Sequence, residues 1–133
     1  MRVMITGGGT GGHIYPGIAI AKHIKEKVED VKIVFVGTKD GLERQLVPGE
    51  GFDFEMIRVK GFKRKISLEN IAVLKELILG LGDAKRFIKR FKPHVVIGTG
   101  GYVSGPVIFI ASLYGIPTLI HEQNVLPGIS NRY

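Results

Sequence analysis

The tetrapeptide Gly-Thr-Gly-Gly stands twice in this chain, at Gly9-Thr10-Gly11-Gly12 and at Gly98-Thr99-Gly100-Gly101. Each copy follows a short apolar run, Val3-Met4-Ile5 or Val95-Val96-Ile97, and each precedes a proline, Pro16 or Pro106, and a helical pattern. The chain therefore reads as strand, glycine turn, helix, two times over. A turn of this kind brings bare backbone N–H groups to the positive end of a helix dipole, where an anion can approach closely. Two such turns on neighbouring strands would suit a ligand with two anionic groups, such as a diphosphate.

The rest of the chain repeats the same rhythm. Strands are expected at Arg2 to Thr6, Val31 to Val36, Phe52 to Val59, His94 to Ile97 and Thr118 to Ile120. Between them, helices are expected from Ile14 to Val28 with Pro16 in the first turn, from Leu42 to Val47, from Leu68 to just before Pro93, and from a Ser104 cap to Tyr114 with Gly115 closing it. Gly80 and Gly82 predict a kink or a break in the third helix. Strands that are continuously apolar, alternating with helices, predict an α/β fold: a Rossmann-like, doubly wound parallel sheet covered by helices on both faces. Right-handed crossovers and the order 3-2-1-4-5 set strands one and four side by side. Both glycine turns then flank the crevice where the strand order reverses. The chain stops at Asn131-Arg132-Tyr133, inside what reads as another helix with no stop signal, so one part of a longer polypeptide is expected.

Of 133 residues, 44% are hydrophobic, enough for one core and not for two full domains. There is no cysteine, which excludes a disulfide framework and a thiolate metal site. The N-terminal stretch lacks the apolar segment of a signal peptide, and no run of about 18 apolar residues could span a membrane. A soluble, cytoplasmic chain is expected. The net charge of +7 is concentrated: Arg58 to Lys92 holds eleven Lys/Arg against three acids, Glu69, Glu76 and Asp83. Such an excess suits an anionic surface, lipid headgroups or nucleic acid, or else is a solvated lysine-rich face.

Gly7, Gly9 and Gly12 spell G-x-G-x-x-G, the dinucleotide-binding fingerprint. That fingerprint also needs an acid at the end of strand two to hold a ribose. Here strand two runs into Gly37-Thr38-Lys39, and Asp40 arrives late. His13 stands beside the first turn at a helix start, where neighbouring N–H groups favour a neutral imidazole. A neutral imidazole can serve as a general base, or it can simply bond a nearby carbonyl. His121-Glu122-Gln123-Asn124 follows strand five directly, placed for a ligand or for a cap and turn ahead of Pro127-Gly128. No His, Asp or Glu set has metal-ligand spacing, so no protein-held metal is expected.

The segment from Phe62 to Phe91 carries both the excess charge and surplus apolar residues. Ile71, Leu74, Ile78 and Leu81 form a stripe for the core, which leaves Val73, Leu77 and Leu79 over, with Lys63, Arg64 and Lys65 just upstream. Exposed apolar residues ringed by cations suit an anionic membrane interface. The alternatives are a contact with the remainder of the polypeptide, or a helix buried all round.

Three motifs taken together carry a resemblance. Gly-Gly-Thr-Gly-Gly-His-x-x-Pro-Gly (Gly8 to Gly17), Gly-Gly-Tyr-Val-Ser-Gly-Pro (Gly100 to Pro106) and His-Glu-Gln-Asn (His121 to Asn124) resemble the MurG family. These are family 28-like glycosyltransferases that make lipid II from lipid I in peptidoglycan synthesis. The resemblance runs the length of the chain, with motifs in order and spacing. It implies a GT-B enzyme of two Rossmann-like domains, of which residues 1–133 are most of the N-terminal, acceptor-side one. The uridine-binding C-terminal domain is missing, so this chain alone is expected to be inactive.

The resemblance also implies partners and roles. It places the lipid I diphosphate near Gly12, His13, Gly100, Gly101 and Tyr102. Thr10, Gly11, Gly12 and Asn124 match positions that reach the donor, UDP-N-acetylglucosamine. Glu122, His121 and Asn131 match active-site residues. His13 is the expected base, with Glu122 as the alternative or as the group orienting a histidine. No cofactor and no nucleic acid are implied, and the expected location is peripheral, on the cytoplasmic face of the membrane. Two other functions stay open at this point. One is a membrane-docking acceptor subunit that needs a separate donor-binding partner. The other is a nucleotide-dependent oxidoreductase domain.

Overall fold

The computed structural model describes residues 1–7, 11–38, 43–57, 68–100 and 104–121, without the side chains of 11–13, 68–74, 76 and 77. Five strands and four helices alternate along it: β1 (Arg2–Thr6), α1 (Gly11–Lys27), β2 (Lys32–Thr38), α2 (Glu43–Gly49), β3 (Asp53–Ile57), α3 (Leu68–Phe91), β4 (Val95–Gly98), α4 (Ser104–Leu113) and β5 (Thr118–Ile120). The strands form one sheet in the order β3-β2-β1-β4-β5, and every neighbouring pair is parallel. This is the doubly wound α/β fold expected from the alternation of apolar runs and helical patterns.

Alternate residues of the central strands feed two cores. Val3 and Ile5 of β1 join Phe35 of β2 and Ile14, Ile18 and Ala21 of α1 on one face of the sheet. Met4 joins Val34, Val36 and Val96 with Ala84 and Ile88 of α3 and Val107, Ile110 and Ala111 of α4 on the other. Consecutive side chains of a strand point to opposite faces, so strands buried on both sides must be apolar throughout. The helices that follow β1 and β4 therefore lie on opposite faces. The crevice between those two strand ends is where ligands bind in folds of this type.

Several elements depart from expectation. Helix α1 begins at Gly11, three residues early, so Gly11, Gly12 and His13 form its first turn and Pro16 lies one turn further in. Glycine is a poor helix former in an interior, but first-turn N–H groups have no helical partner in any case. Helix α3 runs continuously through Gly80 and Gly82 where a kink or break was expected. Gly80 is buried, and Ala84 one turn on lies in the core. The core face of α3 is formed by Ala84 and Ile88, with Leu81, Phe87 and Phe91 packed against them, so Leu81 of the expected stripe meets the core while the side chains of Ile71 and Leu74 lie outside the described residues. Ile78, expected in the core, is 62% exposed, while Leu79, expected outside, is half-buried. Finally, all three residues of β5 are exposed, where burial on both faces was expected.

Candidate functional site

The C-terminal ends of β1 and β4 lie side by side, with Thr6 in register with Gly98. The next helix after each strand starts at Gly11 of α1 or Ser104 of α4, with residues 8–10 and 101–103 between them outside the described residues. The expected side-by-side placement of strands one and four is therefore present, and the residues that open the two motifs, Gly7 and Gly98 to Gly100, lie at adjacent strand ends. Gly11, Gly12 and His13 are the first three residues of α1, and the N–H groups of a helix's first turn are free to meet an anion. The side-chain direction of His13 lies outside the described residues. So do Thr10, Gly101, Tyr102, Glu122, Asn124 and Asn131 altogether, and the basic run Lys63, Arg64 and Lys65. Val73 and Leu77 are placed on α3, with side chains outside the description.

Two expected site residues are described in detail. Gly100 is buried and has φ of +111°, a conformation that a side chain would strain. Its N–H donates to Ser104 Oγ at 3.3 Å, so this amide is already engaged within the turn. His121 follows β5; its backbone N–H donates to the Gly98 carbonyl at 2.8 Å. Its half-buried ring keeps Nδ1 out of solvent with no hydrogen-bond partner among the described residues. The ends of β1, β4 and β5 thus gather Gly7, Gly100 and His121 along one edge of the sheet.

Ser104 was expected as a helix cap, yet its hydroxyl faces Thr6 O at 3.1 Å and Gly100 O at 2.9 Å. The Thr6 carbonyl also receives the Thr99 N–H at 2.9 Å. The buried staple between the two strand ends was not legible from the motif, because one of its ends lies 98 positions away along the chain.

The second feature that sequence reasoning missed is Glu43. It opens α2, is 1% exposed, and accepts hydrogen bonds at Oε1 from both the Thr38 N–H and the Thr38 hydroxyl, each at 2.8 Å. A Cβ at Gly37 would meet Glu43 Cγ at 2.4 Å and Phe54 Cε1 at 2.8 Å. The place at the end of β2 where a dinucleotide fold presents an acid to the ribose is therefore a glycine with a carboxylate packed over it. That carboxylate is turned inward onto the strand and does not face a ligand. The signal was present in the i,i+4 spacing of Glu43 and Val47, which puts Glu43 on the buried side of α2. Among the described residues, no three of His, Cys, Asp or Glu could hold a metal ion.

The strand order and the side-by-side ends of β1 and β4 define a doubly wound α/β domain with a glycine motif after each of those two strands. Residues 3–133 match the glycosyltransferase family 28 N-terminal domain, and the chain belongs to that family. It is 61% identical over 132 residues to a protein of Ruminiclostridium cellulolyticum, and 57% identical over 132 residues to one of Acetivibrio thermocellus. Both relatives carry the name UDP-N-acetylglucosamine--N-acetylmuramyl-(pentapeptide) pyrophosphoryl-undecaprenol N-acetylglucosamine transferase. The alignments cover 99% of this chain and 36% of each relative, so the chain spans about a third of their length. The crystal structure of Acinetobacter baumannii MurG superposes with a TM-score of 0.84 at 32% identity, over 98% of this chain and 37% of that one.

Proposed function

We propose that this chain is the acceptor-side, N-terminal domain of an inverting glycosyltransferase that moves N-acetylglucosamine from UDP-N-acetylglucosamine to the C4 hydroxyl of lipid I. The observation that carries this is the side-by-side pairing of β1 and β4, the two strands that precede the repeated glycine motif, in a chain whose relatives are named for that transfer. The lipid I diphosphate lies across the cleft, against the first turn of α1 and the Gly100-Gly101-Tyr102 turn. Thr10, Gly11, Gly12 and Asn124 reach toward the donor, and His121, Glu122 and Asn131 complete the site. The C-terminal part of the longer polypeptide binds the uridine nucleotide.

The chemistry is one displacement. The acceptor O4 attacks the anomeric carbon as the bond to the UDP oxygen breaks. His13 takes the hydroxyl proton, and UDP departs with the bonding electrons. No covalent enzyme intermediate forms, so the configuration inverts and one base suffices. His13 suits this role as the third residue of α1, beside the anion site. Glu122 is the alternative base, or orients a histidine.

The domain docks peripherally on an anionic membrane, on the cytoplasmic side. Exposed Ile78 of α3 lies in one stripe with exposed Lys75, Lys85 and Lys89, and α4 adds exposed Phe109 and Leu113. Among the described residues no helix is long and apolar enough to cross a membrane. The test of function is transfer of labelled sugar from UDP-N-acetylglucosamine to lipid I by the full-length protein. A product with inverted anomeric configuration is expected; retention of configuration, or hydrolysis of the donor without transfer, would defeat the assignment.

A further inference from the structure

We propose that Ser104 is a positioning residue that couples the two glycine turns, so that one buried hydroxyl sets the geometry on both sides of the cleft. This rests on the transferase reading and extends it to a residue that serves both turns from below. Ser104 is 2% exposed. Its oxygen accepts the Gly100 N–H at 3.3 Å, and its single proton faces two carbonyls, Gly100 O at 2.9 Å and Thr6 O at 3.1 Å. A serine hydroxyl has one proton to donate. Given to Gly100 O, it closes the second turn on itself; given to Thr6 O, it ties that turn to the root of the first.

The Thr6 carbonyl is the lever on the first turn. It also receives the Thr99 N–H at 2.9 Å and has the Thr99 hydroxyl at 3.4 Å. A peptide group is planar, so holding the Thr6 C=O also fixes the direction of the Gly7 N–H, which opens the first turn. On the other side, Gly100 sits at a φ of +111° and depends on its bonds to Ser104 to hold that conformation. Thr6 Oγ1 is itself buried, with no partner among the described residues, so the threonine's own hydroxyl does not do this work. Both turns are therefore referred to one side chain.

The test uses the full-length enzyme with Ser104→Ala and the hydroxyl-retaining Ser104→Thr. In folded Ser104→Ala, the KM for lipid I and the KM for UDP-N-acetylglucosamine should rise together, each about 3–10-fold, the size of one lost hydrogen bond. Ser104→Thr should restore both to within about twofold. A purely structural serine would lower the melting temperature and leave both constants unchanged in the folded protein. That result, or a rise in only one constant, would overturn the coupling. If Ser104→Ala does not fold, Ser104→Cys, which keeps the volume and weakens the donor, is expected to show the same paired rise. Without substrate, the Gly7 amide resonance should shift in the variant, and an unmoved Gly7 amide would also overturn the proposal. Absence of turnover in the wild type would count against the transferase reading alone.

Discussion

Replacing His13 by alanine in the full-length enzyme is expected to lower turnover by about 10²–10⁴-fold, the usual contribution of a positioned acid–base group. The expectation follows from where the residue sits. His13 is the third residue of α1, directly after Gly11 and Gly12, on the helix that follows β1, and β1 pairs with β4. The loss should appear in kcat more than in KM, because proton removal is felt in the transition state. Near-wild-type turnover of His13→Ala at neutral pH would transfer the role of base to Glu122.

Charge reversal in the basic segment is expected to have the next largest effect. Each basic residue close to an anionic surface contributes about 1 kcal/mol. Changing Lys63, Arg64 and Lys65 together to Glu should therefore weaken binding to anionic vesicles by at least about 10²-fold. The wild type should release from such vesicles as salt rises, because screening shortens the reach of its charges. Insertion of apolar side chains adds about 25 cal/mol for each Å² buried. Ile78 of α3 and Phe109 and Leu113 of α4 are exposed, whereas Leu79 is half-buried. Vesicle co-sedimentation measures both effects. Binding that ignores salt, or ignores the triple change, would assign the surface to the remainder of the polypeptide.

The sheet was legible because its signals are local. The apolar runs at Arg2 to Thr6 and Thr118 to Ile120 coincide with β1 and β5, and right-handed crossovers leave few orders for five parallel strands. Helix α1 was placed three residues late because Gly11 and Gly12 read as loop, although a first turn does not depend on helix propensity alone. The core stripe of α3 was drawn through Ile78 because large aliphatics suggest burial, whereas the helix docks through Leu81, Ala84 and Ile88 and leaves Ile78 exposed. The glycine turns were visible as a repeated motif. The staple that joins them was not, because it depends on strands one and four meeting. Glu43 was passed over for a similar reason: a carboxylate beside polar neighbours reads as surface until Gly37 and Thr38 are seen beneath it.

Calorimetric titration of this chain with UDP-N-acetylglucosamine, and separately with a short-chain lipid I analogue, bears most directly on its assignment as the acceptor side. A donor contacted here only through Thr10, Gly11, Gly12 and Asn124 should bind at millimolar strength, about 4 kcal/mol. The analogue, held by both glycine turns, should bind more tightly than the donor. Micromolar affinity for UDP-N-acetylglucosamine, with none for the analogue, would contradict the division of labour and make this the donor-binding part of the enzyme.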